Sequence, residues 1–395
     1  MVMYSLLLAL IYLAFISLGL PDSLLGAAWP SMYPMLGVPV SFAGIVSMTI
    51  SVNTVISSLL SDRVTRRFGA AKVTTVSVGM TAAAMLGFSW CRHFWQLCVL
   101  AVPYGLGAGS VDATLNNYVA LHYKSRHMSW LHCMWGVGTI AGSYVIGAVL
   151  SGGKSWGMGY RVIGAVQVVL TLFLFVSIPV WKKAEEKKNA VQGTERRNPG
   201  SPLPLRNIVK LPGVKEMMMS FFCYCALEQM VILWASSYMV LSGGIDTALA
   251  AKLAGLFFIG ITLGRAIDGF LMMKFSDTQM IRAGQIGIGC GILLMVLPLG
   301  KEITIAGFLL VGFGCAPIYP CFIHAIPARF GEDKSQTLIG VQMAAAYVGI
   351  SLMPPLFGWI ADNISIGLLP LFLAVILILM IVSHECLVCK TEKKS

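Results

Sequence analysis

From Tyr4 to His384 the chain is divided into twelve apolar runs joined mostly by short polar connections. A run of about 20 apolar residues is long enough to cross the hydrocarbon core of a bilayer. Inside that core every backbone N–H and C=O must be satisfied within the protein, so repeated runs of this length predict helices. We place spans at residues 4–34, 40–60, 72–90, 94–120, 128–150, 160–181, 214–241, 249–273, 279–298, 303–328, 335–360 and 365–384. The chain is 57% hydrophobic and 11% charged, where soluble domains carry about 25% charged residues. Its mean hydropathy is +0.80. A soluble enzyme is excluded, and an all-α membrane protein is predicted.

The net charge of +11 invites a nucleic-acid reading. The placement of the 28 Lys and Arg residues rejects it. With the N-terminus inside, only Arg92, Lys154, Arg161, Lys252 and Lys301 fall on the outside, and Arg265 lies within a span. All the others collect in the inside loops and the tail. This is the positive-inside bias of a multi-pass protein of the plasma or inner membrane with both termini cytoplasmic. The start of the chain has no basic segment or small-residue cleavage site, so it reads as an uncleaved first span. A flexible basic linker is expected at 182–212. It separates a half at 1–181 from a half at 213–395 that ends in a short tail.

Polar residues inside the spans are the functional candidates, because a charge at mid-bilayer costs about 2.5–3.5 kcal/mol on insertion scales. In Pro103–Tyr118, the residues Gly105, Gly109, Asp112 and Asn116 recur at helical spacing and share one face. The glycines let a neighbouring helix come close, which turns Asp112 toward protein or a polar pathway rather than lipid. Asp22 is a second intramembrane carboxyl, beside Pro21 in span 1. Span 5 carries His132 and Trp135 on one helical face, and span 7 carries Glu228 and Gln229 with Trp234 beyond. Carboxylates and amides make paired hydrogen bonds and aromatic faces cover apolar sugar faces, so this set suits a polyhydroxylated solute. In span 10, Pro317 and Pro320 predict a bent or broken helix bearing Tyr319, a usual place for a site. Span 11 adds Gln342 and Tyr347.

No metal site or cofactor is expected. The ten cysteines lie mostly in apolar runs, and Cys386 with Cys389 forms a lone C-x-x-C, whereas a zinc site needs more ligands. No H-E-x-x-H, G-x-S-x-G or phosphate-binding loop is present, so an enzyme is not expected.

The two halves repeat. Ser58 and Asp62 match Gly264 and Asp268 at an offset of 206 residues. At an offset of 207, Gly105 and Gly107 match Gly312 and Gly314, and Gly142 matches Gly349. At the end of span 2, Ser58, Asp62, Arg63, Thr65, Arg66 and Arg67 form a loop that resembles the signature of the major facilitator superfamily, G-x-x-x-D-R-x-G-R-R/K. Ser58 and Thr65 stand where that pattern has glycine. The resemblance implies twelve helices in two six-helix pseudo-symmetric halves, with the substrate bound between them. It also implies a conformational lock formed by Asp62, Arg63, Arg66 and Arg67, with Arg265 and Asp268 as their echo. Drug antiporters of the superfamily carry a proline in span 5, which Ser143 replaces here.

Within the superfamily the chain is most similar to the fucose–galactose–glucose proton symporters. Those proteins carry an acid in span 4 with Asn four and Tyr six positions on, as Asp112, Asn116 and Tyr118 do. They also carry an acid in span 1, matched by Asp22, and an acid with downstream aromatics in span 7, matched by Glu228 and Trp234. The expected function is import of a small polar solute, a sugar by preference, with protons carried by Asp22 and Asp112. Asn116, His132, Trp135, Glu228, Gln229, Trp234, Tyr319 and Gln342 are the expected ligands. The rival readings are a proton-driven multisubstrate exporter, a sodium-coupled symporter and, last, a non-transporting receptor. Apart from solute and lipid no partner is expected, and the chain is expected to be a monomer.

Overall fold

The computed structural model describes residues 2–122, 125–191, 210–297 and 300–392, and all of its regular elements are helical. The first span is two helices, α1 (Val2–Asp22) and α2 (Leu24–Leu36). Then follow α3 (Phe42–Phe68), α4 (Ala70–Phe88), α5 (Phe94–His122), α6 (Ser125–Ser151) and α7 (Trp156–Val191). The second half holds α8 (Val214–Leu241), α9 (Thr247–Leu271) and α10 (Asp277–Val296). Its tenth span is again divided, into α11 (Lys301–Cys315) and α12 (Ile318–Phe330). The last two spans are α13 (Glu332–Ile360) and α14 (Leu369–Glu392), joined by a short π and 3-10 turn.

Local sequence accounts for where these helices start and stop. The Asp246 carboxylate accepts from the N–H groups of Ala248 and Leu249, and Ser276 with Gln279 forms a capping box. Gly37 closes α2 in the left-handed conformation that glycine adopts without steric cost. The tenth span breaks at Ala316 and Pro317, as the paired prolines predict, because proline lacks the N–H that would continue the ladder. Two boundaries differ from expectation. Span 1 is not one helix: it is interrupted at Ser23, which leaves Asp22 as the last residue of α1. The backbone also stays helical past Lys182 to Val191, and the rest of the expected linker, 192–209, lies outside the described residues.

The repeat is visible in how the helices cross. A methyl group built on Gly105 would strike the Ile50 carbonyl of α3, and one on Gly312 would strike the Phe257 carbonyl of α9. Gly107 meets the Ser77 carbonyl of α4, and Gly314 meets the Gly284 carbonyl of α10. Both the glycines and their partners are therefore 207 positions apart. Gly142 likewise lies against α1 and Gly349 against α8. Lipid supplies no hydrophobic drive between helices, so close backbone packing of this kind holds them together. Around the outside, Val169, Leu172, Phe175 and Val176 of α7 and Leu371, Val375 and Ile378 of α14 are exposed apolar groups that would face the hydrocarbon.

The most extensive helix pairings between the halves are α2 with α8, α3 with α13 and α6 with α9. Each is permitted by a small residue. Gly26 sits on the backbone of Ile232 and Leu233, Gly44 on Pro355, and Gly136 on the Thr262 side chain. Polar staples hold the second half at the end that carries the C-terminus. Arg282 grips Glu385 with two hydrogen bonds of 2.8 and 2.6 Å, and His324 lies 2.9 Å from Asp277.

Candidate functional site

The break at Ser23 ends α1 at Asp22, between helices rather than along one. Gly19 and Gly138 let α1 and α6 cross closely: a methyl on Gly19 would meet the Trp135 carbonyl, and one on Gly138 the Ile16 carbonyl. That crossing brings Trp135 to Asp22. The Trp135 indole N–H donates to Asp22 Oδ2 at 2.8 Å, and the Tyr104 hydroxyl of α5 donates to Asp22 Oδ1 at 2.7 Å. Each carboxylate oxygen thus has a donor from a different helix.

The other side of Trp135 belongs to the second half. Gly136 admits Thr262 of α9, one turn before Arg265. The Arg265 guanidinium carbon then lies 5.8 Å from the Trp135 ring centroid, in cation–π range. Arg265 also pairs with Glu228 of α8, NH2 to Oε1 at 3.5 Å, their side chains 12% and 15% exposed. Tyr104, Asp22, Trp135, Arg265 and Glu228 form one polar chain that starts in the first half and ends in the second. Arg265, expected among the lock residues, lies against Glu228 and Trp135, with Tyr224 close by.

A second group gathers on α5, α12 and α13. Asn116 donates to Asp112 Oδ1 at 2.9 Å, one turn along the same helix. Asp112 lies within electrostatic range of Tyr319, Tyr347 and Asp22. Tyr319 stacks among Phe221, Tyr224 and His132, with the His132 ring 6.1 Å away. His132 also meets Phe15 edge-on at 5.9 Å. Gln229 reaches across to α3 and donates to Ser47 Oγ at 3.5 Å.

Other expected ligands stand apart from these groups. Trp234 is fully buried against Phe357, its ring edge-on at 5.7 Å, and its N–H has no acceptor. Its ring packs against the second half's own α13. Gln342 is also fully buried, with neither amide atom hydrogen-bonded among the described residues. Asp268 is buried with Oδ2 unbonded. Of the lock residues, Arg63 and Arg67 are exposed, and Arg67 lies over the Phe68 ring. The side chains of Asp62 and Arg66 lie outside the described residues. A surface groove of about 250 Å³ at the turn between α4 and α5, lined by Trp90, Cys91, Trp95 and Gln96 among others, holds none of the expected site residues.

Three features were not read from the sequence. Tyr104 stands inside the stretch singled out in span 4, but was not named as a ligand. Its signal is a hydroxyl aromatic flanked by proline and glycine in an otherwise apolar helix. Tyr224 lies one turn before Glu228, and its buried hydroxyl makes no hydrogen bond of ordinary geometry. Ser17 and Gln167 hydrogen-bond reciprocally inside the first half and tie α1 to α7 just before Asp22.

Comparison with known proteins agrees with this architecture. The profile described as Major Facilitator Superfamily matches residues 11–297 and 217–394. The chain is similar to the glucose/mannose transporter GlcP of Bacillus subtilis, 21% identical over 351 residues, covering 85% of this chain and 83% of that one. It is similar to the hexuronate transporter of the same organism, 22% identical over 262 residues, covering 65% and 62%. Among solved structures it resembles a bacterial homologue of the human lysosomal transporter Spinster in an inward-facing, occupied conformation. The TM-score there is 0.71 at 12% identity, with 98% of this chain and 97% of that one covered. Two six-helix halves that repeat at 207 residues, joined over a polar chain between them and matched end to end by the family profile, identify the chain as a member of the major facilitator superfamily, a multi-pass membrane transporter of small solutes.

Proposed function

We propose that the chain imports a small polar solute of the sugar type together with protons, by alternating access between its two halves. It does so as a monomer in the plasma or inner membrane, with both termini cytoplasmic. The observation that carries this reading is the polar chain from Tyr104 and Asp22 through Trp135 to Arg265 and Glu228. A solute bound there touches both halves, so its binding energy bears on how they sit against each other. A ligand shifts a conformational equilibrium only by its differential affinity for the two states.

The residues divide by how firmly they are held. Asp22 is fixed by donors on two other helices and orients Trp135. Among the described residues Asp112 has one hydrogen-bond partner, on its own helix, and it is the carboxyl freer to exchange a proton during the cycle. Asn116, His132, Gln229 and Tyr319 offer donors and acceptors for hydroxyl groups, and Trp135 offers a face. Asp62, Arg63, Arg66 and Arg67 stabilise the state closed on the cytoplasmic side. The glucose/mannose transporter named above supports a sugar-type solute.

The test is uptake by purified protein in liposomes, using labelled glucose, mannose, fucose and glucuronate with an imposed inward proton gradient. Accumulation above the external concentration that collapses with a protonophore is the expected result. Equilibration of a probe that no proton gradient drives uphill would remove the coupling and leave a facilitator.

A further inference from the structure

We infer that the solute is an organic acid, and that Arg265 receives its carboxylate in place of Glu228. The inference rests on the transport reading above and specifies its substrate. Arg265 lies well inside α9, its side chain only 12% exposed, on a helix that faces the other half. A neutral solute would give no reason to hold a guanidinium there against the cost of taking it out of water. Its existing partner is loosely held. The pair with Glu228 is a single contact at 3.5 Å, whereas a charge-assisted N–H···O bond is about 2.7–2.9 Å and arginine favours two in parallel. Both side chains stay partly exposed at 12% and 15%, so a solute can reach them.

The surroundings suit a carboxylate receptor. Trp135 lies under the guanidinium and is itself anchored by Asp22, which fixes the plane of the fork. Tyr224, one turn from Glu228, places a buried hydroxyl beside both Arg265 and Glu228, without a hydrogen bond of ordinary geometry among the described residues. It can donate to an incoming carboxylate or to Glu228 once displaced. His132 and Tyr319 stand nearby for the hydroxyl groups of the remainder. Glu228 is thus the internal counterion that satisfies Arg265 while no acid is bound, and the acid competes with it.

Matched probes test this: glucuronate against glucose, differing by one carboxylate, with equilibrium binding to the purified protein and uptake in liposomes measured separately. Glucuronate should bind at least tenfold more tightly than glucose. Arg265→Gln should weaken glucuronate binding by about tenfold to a hundredfold, the range expected for loss of a charge-assisted contact, with Arg265→Lys between. Glu228→Gln removes the competitor and should tighten glucuronate binding. This gain does not depend on the arginine variants folding well. Equal affinity for the two probes, binding of neither, or weaker binding by Glu228→Gln overturns the inference. Glucose uptake indifferent to Arg265 would overturn it while the transport reading stood. Glucuronate binding that depends on Arg265 without any flux would do the reverse.

Discussion

Tyr104→Phe deletes one oxygen and leaves the ring. The ring is buried beside Phe88, with centroids 6.4 Å apart, so the substitution opens no sizeable cavity. What it removes is the donor 2.7 Å from Asp22 Oδ1. A hydrogen bond to a charged group contributes about 1.5–3 kcal/mol, because the carboxylate oxygen left behind has lost its water as well as its donor. Asp22 keeps the Trp135 N–H at 2.8 Å, so it remains half held. At roughly 2 kcal/mol, states of the cycle in which Asp22 is charged fall about 30-fold in population relative to the others. The same deletion made on Asp22→Asn should cost only about 1 kcal/mol, the usual value for a neutral pair. The double-mutant cycle should therefore show a coupling of about 1 kcal/mol or more. Initial uptake rates in liposomes, at equal reconstituted protein, measure it. Uptake by Tyr104→Phe within twofold of the parent, with additive effects in the double variant, would refute the claim that Asp22 works through its two donors.

The remaining predictions follow from packing and from the partition of roles. Trp234→Ala should lower stability by about 3–5 kcal/mol, as truncation of a buried aromatic does, and the folded fraction should keep its affinity; thermal unfolding and binding on the same sample check both. Gly312→Ala places a methyl against the Phe257 carbonyl and should impair folding, whereas Gly269→Ala, with open space around it, should be tolerated or slightly stabilising. Expression level and melting temperature of the pair decide that comparison.

The spans, the repeat and the break at Pro317 were legible in the sequence for a physical reason. Lipid permits few backbone solutions, and the glycines at offset 207 mark crossings that admit no side chain. The site was legible only in part. Asp22, Trp135 and Glu228 stood out as polar or aromatic groups in apolar runs. That Trp135 would join Asp22 to Arg265 depends on how α1, α6 and α9 cross at Gly19, Gly136 and Gly138, and helical periodicity does not set those crossings. Arg265 was grouped with Asp268 because it lies in the Gly264–Asp268 segment, whose two ends echo the span-2 loop at offset 206, yet only tertiary packing turns it toward Glu228. Trp234 was read as a ligand from its nearness to Glu228 in sequence. Six residues on an α-helix turn it about 120° away from Glu228, and it packs on Phe357 instead. The break at Ser23 that ends α1 at Asp22 was not legible either, since proline at position 21 alone does not dictate it.

The central claim is that a carboxyl between the halves carries the coupled proton, and Asp112→Asn tests it most directly. The amide imitates the protonated acid and keeps its size, and the Asn116 side chain can turn to meet it. Active uptake and counterflow are measured in the same liposomes, with whichever of glucose, mannose, fucose or glucuronate the parent accumulates. The account predicts that the variant still exchanges solute across the membrane but no longer concentrates it against a gradient. Full concentrative uptake by Asp112→Asn would contradict the account.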